Sequence, residues 1–310
     1  MHNARMSHSL YRQNAGNGYF VQSYAKINMT LDVLGRRPDG YHDLATIMQT
    51  IDLYDTICLR VTDDELVRIV CTHPELNTPD NLAVRAAQII RHELGLTQGV
   101  MIELHKRIPV AAGLGGGSSN AAAVLLALQQ WWQLQLSPSD LLTLAASLGS
   151  DVPFFLSGGL AYCEGRGERV TPLTSRWPAA LRWLLLVKPA ISVSTAEVFR
   201  SLSASDYSDG SHSQAVRAAF DTASTLPLED LHNGLERGVL ARYPEVAQAR
   251  AAMLNAGASL VRLSGSGPSL FAPFAELTHA VNAQQQLHAQ GYEVYLTHAI
   301  HPIGNDVCLF

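Results

Sequence analysis

The chain has 310 residues, a formal net charge of −5 at pH 7 and 47% hydrophobic residues. This length exceeds that of most single cores, so two domains are expected, and the composition is that of an ordinary folded protein. The acidic balance argues against a nucleic-acid partner, so an anionic ligand would have to be held by a local pocket. No apolar run approaches the ~18 residues that a membrane span needs, and no membrane partner is expected.

Cysteine and histidine usage indicates the compartment and the metal content. The four cysteines are scattered without a C-x-x-C pair, which is typical of reduced thiols in a cytoplasmic protein; they are Cys58, Cys71, Cys163 and Cys308. The twelve histidines form no H-E-x-x-H or comparable motif, so most of them are expected to be surface or core residues, and no histidine metal site is assigned. Residues 1–18 are polar and lack the apolar segment of a secretory signal, and we expect a disordered tail there.

Residues 24–33 alternate between apolar and polar side chains, as a half-buried β-strand does. The period of two places Lys26 and Asn28 side by side on one face, which is either solvated or presented to a ligand. Residues 35–42 are predicted to form a loop, because they contain the turn signal Pro-Asp-Gly. The loop ends on Tyr41 and His42, which either pack within the turn or stack on a base and hydrogen-bond its edge.

A glycine-rich stretch dominates the middle of the chain: residues 109–123 read Pro-Val-Ala-Ala-Gly-Leu-Gly-Gly-Gly-Ser-Ser-Asn-Ala-Ala-Ala. Strands over residues 47–62, 66–71 and 100–105 and a helix over residues 81–94 precede it, and another helix follows. Glycines let a backbone approach a ligand, and Ser and Asn cap helix starts. This arrangement predicts a phosphate site, although neither the Walker A nor the dinucleotide pattern fits. A helix start that uses glycine for tight packing is the alternative.

Asp151 stands after the next helix. Residues 138–148 are predicted to be helical, starting after Ser137 and ending at Gly149. Asp151 then lies in Gly-Ser-Asp-Val-Pro-Phe-Phe, directly before an apolar run. Its carboxylate either caps a short helix over residues 152–156 or is held at the floor of a cleft.

The second half of the chain begins near residues 171–180, where prolines interrupt the pattern. We predict an antiparallel sheet with helices on one face. Its predicted strands are residues 183–187, 259–263, 269–274 and 292–297. Its predicted helices are residues 194–199, residues 231–256 with a break at Tyr243-Pro244, and residues 277–289. The Ser- and Asp-rich residues 201–214 are expected to form a mobile loop. Ser-Gly-Ser-Gly-Pro at residues 264–268 is either a hairpin turn or a backbone that approaches a ligand.

Four motifs together resemble the GHMP kinases, which include galactokinase, homoserine kinase and mevalonate kinase. The motifs are the glycine-rich stretch, Ala-Lys-Ile-Asn with Asp-Gly-Tyr-His, Gly-Ser-Asp-Val-Pro-Phe-Phe, and Ser-Gly-Ser-Gly-Pro, in the expected order from about residue 20 to 275. The glycine-rich stretch marks only the superfamily. The combination of Lys-x-Asn with Asp-Gly-Tyr-His resembles the motifs of one branch of this superfamily. The substrate of that branch carries a cytidine diphosphate.

The resemblance implies an α/β (α+β) two-domain GHMP kinase fold. An N-terminal, ribosomal-protein-S5-like nucleotide-binding domain would cover residues 19–176, and a C-terminal, ferredoxin-like α/β substrate domain residues 177–310. It also implies an enzyme that uses ATP and Mg²⁺ in the non-mevalonate route to isoprenoids. Its reaction would phosphorylate the 2-hydroxyl of a methylerythritol that carries cytidine diphosphate.

The resemblance also implies a role for individual residues of these motifs. Lys26 and Asp151 are expected to be catalytic, and Asn81 to lie near the adenine. The residues expected to bind the alcohol substrate are Asn28, Tyr41, His42 and Phe199. The residues expected to bind ATP are Pro109, Val110, Ala111, Ala112, Gly113, Leu114, Gly115, Gly116, Gly117, Ser118 and Ser119. The protein ligands of the metal are not identified, although the hydroxyl of Ser118 or Ser119 is a candidate.

Two alternatives are considered, one enzymatic and one from another functional class. One is a GHMP kinase for a mevalonate-like or homoserine-like alcohol, which has no use for a base-stacking Asp-Gly-Tyr-His loop. The other is a nucleotide-binding regulatory protein on the same scaffold, which would be expected to lose Lys26 or Asp151. A monomer or weak homodimer is expected.

Overall fold

The structure is a computed structural model that describes residues 10–11, 18–173, 177–222, 226 and 228–300. Its strands are β1 (Leu10–Tyr11), β2 (Gly18–Arg36), β3 (His42–Thr62), β4 (Val67–Cys71), β5 (Gly99–His105), β6 (Leu160–Gly165), β7 (Arg169–Pro172), β8 (Trp183–Lys188), β9 (Arg262–Leu263), β10 (Leu270–Phe274) and β11 (Glu293–Thr297). Its α-helices are α1 (Leu82–Glu93), α2 (Gly116–Trp131), α3 (Pro138–Leu148), α4 (Val152–Ser157), α5 (Thr195–Arg200), α6 (Ser211–Thr222), α7 (Glu236–Arg242), α8 (Pro244–Asn255) and α9 (Leu277–Ala289).

The first sheet is built on the long antiparallel pair β2 and β3. The strand order is β1-β2-β3-β5-β4, and β6 pairs with β3 and with β7. All of these pairs are antiparallel except β4 with β5. Both β2 and β3 are longer than predicted, and the loop between them shrinks to residues 37–41, because Arg36 still pairs with His42 across the strands.

Both faces of β2 are covered, so its alternating polar residues are buried as well. Every residue from Ala25 to Val33 is buried. Helices α1 to α4 pack on one face of the first sheet. Helix α6 and the second sheet cover the other face.

The second sheet is antiparallel throughout, with strand order β11-β8-β10-β9, which confirms the predicted antiparallel sheet. Side chains of a strand alternate between the two faces, and in β8 this separates two cores. Leu184 and Leu186 pack toward the first sheet. Leu185 and Val187 pack in the cluster that includes α8 and α9.

One prediction about order is wrong, and another lies mostly outside the described residues. Residues 201–214 are not an irregular mobile loop, because Ala204–Asp206 form a 3₁₀ turn and α6 begins at Ser211. The buried carboxylate of Asp32 fixes this segment by accepting hydrogen bonds from Ser208 Oγ and from the backbone N–H of Ser213. Of the predicted disordered tail, residues 1–9 and 12–17 lie outside the described residues, and β1 pairs with Phe20 and Val21.

Short elements also depart from the predictions. The strand predicted over residues 259–263 is reduced to β9. Further 3₁₀ turns lie at Pro74–Leu76, Ala179–Leu181 and Leu228–Asp230. Across the described ranges, no helix combines the length and the apolar character that crossing a membrane requires.

Candidate active site

One cavity of about 1250 Å³ gathers most of the predicted site residues. It is lined by Lys26, Asn28, Tyr41, His42, Asp151 and Phe199, by Asn81, and by the glycine-rich loop from Pro109 to Ser118. These residues come from both halves of the chain. Ser119 is placed differently, because it is buried in α2 and its hydroxyl accepts a hydrogen bond from Ser23 Oγ at 2.8 Å.

The centre of the cavity contains a lysine–aspartate pair. Lys26 Nζ lies 3.4 Å from Asp151 Oδ2 and donates to Asn28 Oδ1 at 2.5 Å. The Asn28 amide in turn donates to Thr46 Oγ1 on β3 at 2.8 Å. Lys26 and Asn28 are only 4% and 2% exposed, so the interpretation of this face as solvated is wrong.

Asp151 occupies the residue before α4 but does not cap the helix. Its side chain accepts no capping hydrogen bond, and its backbone is already helical at φ −84° and ψ −13°. The carboxylate instead faces Lys26, with 30% of the side chain exposed. The capping interpretation is therefore wrong, and the carboxylate is available to a ligand in the cavity.

The glycine-rich loop ends at the N-terminus of α2. Helix α2 begins at Gly116, and Gly115 precedes it in the left-handed conformation with φ 70°. The predicted capping by the serines and the asparagine is wrong, because these residues lie inside the helix. The first backbone hydrogen bond of the helix is from Ser119 N–H to the Gly115 carbonyl. The N–H groups of Gly116, Gly117 and Ser118 precede it without intrahelical acceptors, so the positive end of the helix opens on the cavity.

Two of the glycines are required by the protein's own packing. A Cβ on Gly113 would lie 2.2 Å from the Ser264 carbonyl oxygen, and one on Gly115 would lie 2.7 Å from Phe155 Cζ. Gly117 differs, because its Cβ would meet only Leu82 Cδ1, at 3.6 Å. Tight packing and close approach of a ligand were alternative reasons for the glycines. Packing explains Gly113 and Gly115, whereas Gly117 leaves room for a ligand.

A buried ion pair behind α2 was not predicted from the sequence. Lys106 Nζ lies 2.5 Å from Asp55 Oδ2, and both side chains are nearly inaccessible. Asp55 Oδ1 also accepts the backbone N–H groups of Arg107 and Ile108, at 2.7 and 2.9 Å. The Asn120 amide donates to Asp55 Oδ2 at 2.9 Å. This network ties β3 to the start of the loop and to α2, and Lys106 lines the cavity.

Tyr41, His42 and Phe199 also line the cavity, and Tyr207 contacts His42 from outside its lining. The His42 ring lies 5.4 Å from Phe199 and 6.0 Å from Tyr207, measured between centroids. Tyr41 is 54% exposed, with the Arg166 guanidinium 4.8 Å from its ring centroid. Burial, and then the charge of Arg36, lower the pKa of His42 from its ordinary value of 6.5. Tyr207 and Arg166 were not predicted, because neither belongs to a motif that the sequence analysis identified.

Asn81 has a defined structural role at the adjacent edge. Its Oδ1 accepts from the Ala83 N–H at 2.9 Å and so caps α1. Its amide donates to the Leu76 carbonyl at 3.0 Å.

A group of possible metal ligands lies outside the cavity. Asp32, His212 and His232 each offer one ligand atom within 4.8 Å of the others. The search for histidine motifs depended on local spacing, which does not reveal residues so far apart in the chain. Asp32 is already bonded to Ser208 and Ser213, as described above, which is sufficient reason for its burial.

Comparisons with known proteins decide the family. Residues 81–159 match the GHMP kinases N terminal domain, and residues 216–293 match GHMP kinases C terminal. The 4-diphosphocytidyl-2-C-methyl-D-erythritol kinase of Alkaliphilus metalliredigens is 44% identical over 269 residues, which are 86% of this chain and 91% of that protein. The enzyme of the same name from Gloeobacter violaceus is 41% identical over 271 residues, 84% of this chain and 87% of that protein. The chain belongs to the 4-diphosphocytidyl-2-C-methyl-D-erythritol kinase family.

Solved structures agree with this assignment. A crystal structure of 4-(cytidine 5'-diphospho)-2C-methyl-D-erythritol kinase matches with a TM-score of 0.76 and 33% identity, covering 90% of this chain and 98% of that one. Homoserine kinase from Cytophaga hutchinsonii shares the fold, with a TM-score of 0.72 at 21% identity over 95% of this chain and 99% of that one. The predicted two-domain GHMP kinase fold is thus confirmed, and the chain is an ATP-dependent small-molecule kinase.

Proposed function

We propose that this kinase transfers the γ-phosphoryl group of ATP to the 2-hydroxyl of 4-diphosphocytidyl-2-C-methyl-D-erythritol, in the non-mevalonate pathway to isoprenoids. The position of the Lys26–Asp151 pair carries the proposal. The pair, 3.4 Å apart, lies in one cavity whose walls include an open helix N-terminus and a cluster of aromatic rings. A phosphate donor and a base-bearing acceptor can therefore approach the same carboxylate from two sides.

Asp151 is proposed to accept the proton of the 2-hydroxyl as phosphoryl transfer proceeds. A sugar hydroxyl is a poor nucleophile, and a positioned base contributes typically ~10²–10⁴ in rate. Lys26 orients this carboxylate and places a positive charge beside the reacting oxygens. Asn28 holds Lys26 in place through the hydrogen bond between their side chains, and lies close enough to bind the substrate.

ATP is proposed to bind the glycine-rich loop with its phosphates at the N-terminus of α2. The N–H groups of Gly116, Gly117 and Ser118 supply donors where negative charge accumulates. Asn81 is proposed to lie near the adenine, since it lines the same cavity. Phosphoryl transfer depends mainly on such positioning and charge neutralisation.

Mg²⁺ is proposed as the metal. It prefers oxygen ligands and binds through one or two protein oxygens together with substrate phosphates. The Asp151 carboxylate and the Ser118 hydroxyl fit this requirement, because both residues line the cavity beside the loop. The ion would neutralise phosphate charge when bound.

Tyr41, His42 and Phe199 are proposed to hold the cytosine. The tilted contact of His42 with Phe199 and the exposed ring of Tyr41 offer aromatic faces for stacking. The free, buried thiols of Cys58, Cys71 and Cys163 support a reducing compartment, and we propose a cytoplasmic monomer or weak homodimer.

The test is a coupled ADP-release assay with 4-diphosphocytidyl-2-C-methyl-D-erythritol, mevalonate and homoserine as separate acceptors. We expect efficient turnover of the first alone. Asp151→Asn should lower kcat by roughly 10²-fold or more with the KM for ATP nearly unchanged. Asp221→Asn, at an exposed carboxylate on α6, is the matched control and should keep full activity.

Efficient turnover of mevalonate or homoserine would return the chain to an unspecified GHMP kinase. Nucleotide binding without turnover of any acceptor would favour the regulatory alternative. A normal kcat in folded Asp151→Asn would remove the carboxylate from the mechanism.

A further inference from the structure

The tight turn between β6 and β7 presents one arginine to the cavity. Gly165 and Gly167 flank Arg166 with φ of 72° and 109°, values that favour glycine. The backbone N–H of Arg166 donates to Glu168 Oε2 at 2.6 Å, which fixes the turn. Arg166 is thereby held by its backbone, and its side chain lines the cavity.

Arg166 lies between the two ends of the proposed substrate site. Its guanidinium carbon is 4.8 Å from the centroid of the Tyr41 ring, at the base-binding end. Its neighbour Gly167 is close to the reacting end, since a Cβ there would lie 3.8 Å from Asp151 Oδ1. In the proposed substrate, the diphosphate connects the cytidine to the alcohol that is phosphorylated. If the substrate binds as proposed, its diphosphate therefore lies beside Arg166.

The charges of the cavity contrast with those of the whole chain. The protein carries a net charge of −5, yet five cations line this cavity against two carboxylates; the seven are Lys26, Arg36, Lys106, Arg166, Arg200, Asp80 and Asp151. Lys26 and Lys106 are already paired with Asp151 and Asp55. Within the described ranges, no carboxylate lies within 4.0 Å of the Arg166 guanidinium. Asp39 interacts with its charge at longer range, but that carboxylate is exposed and already pairs with Arg37, so the charge of Arg166 can also act on a ligand.

We infer that Arg166 binds the diphosphate of the acceptor substrate and so contributes to selection of a nucleoside-diphosphate-linked alcohol over a bare alcohol. The planar guanidinium can donate two parallel hydrogen bonds to phosphate oxygens. Its contact with one face of Tyr41 positions it for this role and leaves the other face of the ring for the base. The inference rests on the proposed function and adds a residue to it.

The test separates the base from the diphosphate by comparing two probes, cytidine and cytidine 5'-diphosphate. Their dissociation constants are measured by calorimetry for the wild type, Arg166→Met and Arg169→Met. Arg169 lies three residues further on, is 68% exposed and does not line the cavity, so it is the matched control for loss of one positive charge. Arg166→Met should weaken cytidine 5'-diphosphate binding by about tenfold to a hundredfold and change cytidine binding less than about threefold. Arg169→Met should change neither.

Turnover provides a second readout. Arg166→Met should raise the KM for the cytidine-bearing alcohol by a similar factor, with kcat and the KM for ATP nearly unchanged. Arg166→Lys keeps the charge but loses the paired donors, and it should fall between the wild type and Arg166→Met.

Three outcomes would overturn the inference. Unchanged affinity of Arg166→Met for cytidine 5'-diphosphate would show that the arginine does not bind phosphate. Equal losses for both probes would show that it only supports the Tyr41 ring. Failure of the wild type to bind either probe would overturn the proposed function and this inference with it, and so differs from failure of the inference alone.

Discussion

His42 illustrates how burial and one neighbouring charge can set the protonation state of a proposed binding residue. Its ring is 8% exposed and lies between Phe199 and Tyr207, while Arg36 pairs with it across β2 and β3. Burial disfavours the charged ring, and the positive charge of Arg36 acts in the same direction, so the pKa of His42 falls below 6.5. At neutral pH the ring is therefore neutral, with one nitrogen as a donor and the other as an acceptor. Such a ring matches the edge of cytosine, which also offers both.

The first prediction concerns this titration. An NMR titration of the His42 ring should give a midpoint below 6.5, and Arg36→Gln should move it upward. Because the folded-state pKa is depressed, the stability that neutral His42 contributes is complete above its unfolded pKa of about 6.5 and is lost as the pH falls toward the folded value. The KM for the cytidine-bearing substrate should rise as the pH falls through the folded-state pKa, where the ring of the folded protein becomes protonated. His42→Phe identifies the resonance. A wild-type midpoint above 6.5 would contradict the account.

At the scale of elements, the glycines at the N-terminus of α2 serve two purposes, tight packing within the protein and room for a ligand. Gly113 and Gly115 cannot accept a side chain, since their Cβ atoms would meet Ser264 and Phe155. Gly117 has an ordinary helical position, an exposed surface and space for a methyl group, so nothing in the protein itself requires glycine there. A close approach by ATP phosphates would explain it, because a Cβ would occupy the space beside the N–H donors.

The second prediction follows from this difference. Gly117→Ala should raise the KM for ATP tenfold or more while increasing the free energy of unfolding by up to about 1 kcal/mol, because alanine has the higher helix propensity. Steady-state kinetics and urea unfolding measure the two effects. Gly238→Ala is the matched control, since Gly238 is exposed in α7 with nothing within 4 Å of its Cβ position. It should gain similar stability and leave the KM for ATP unchanged. An unchanged ATP affinity in Gly117→Ala would remove the phosphates from this position.

The same region shows how much of the site could be predicted from the sequence. Local motifs identified the loop, Lys26 and Asp151, because each depends on spacing within a few residues. The environment of these residues could not be predicted in the same way. Asp55 and Lys106 are 51 positions apart and meet only because β3 pairs with β5. Residue alternation likewise predicted a strand for residues 24–33, but it could not show that the polar face would be covered by other elements.

At the scale of the whole molecule, the two sheets share a core. One hydrophobic cluster contains Ile27 of β2, Ile47 of β3, Leu184 and Leu186 of β8, and Phe271 of β10. Polar contacts join the halves at the cavity as well, since Ser264 Oγ donates to the Gly113 carbonyl at 3.1 Å and Ser269 N–H donates to the Ala112 carbonyl at 3.3 Å. The proposed domains, residues 19–176 and 177–310, are thus joined by buried apolar surface. An interface of this kind favours cooperative unfolding over independent domains.

The last prediction is that the chain unfolds as one unit, although it has two sheets. Its four tryptophans allow a direct test, because Trp131 and Trp132 pack against the core of the first half, whereas Trp177 and Trp183 belong to the second half. In a Trp177→Phe/Trp183→Phe background, fluorescence reports the first half alone. Met253→Ala then removes a fully buried side chain from α8 and should destabilise the protein by about 2–5 kcal/mol. Its cluster packs on the other face of the second sheet and also reaches Leu31 and Leu44 of the first. If the shared core couples the halves, the urea midpoint seen by Trp131 and Trp132 should fall as far as the midpoint seen by far-UV circular dichroism.

Leu254→Ala, at the exposed neighbouring position, is the control and should move neither midpoint appreciably. A biphasic transition, or a fluorescence midpoint that Met253→Ala leaves in place, would instead show two domains that unfold independently.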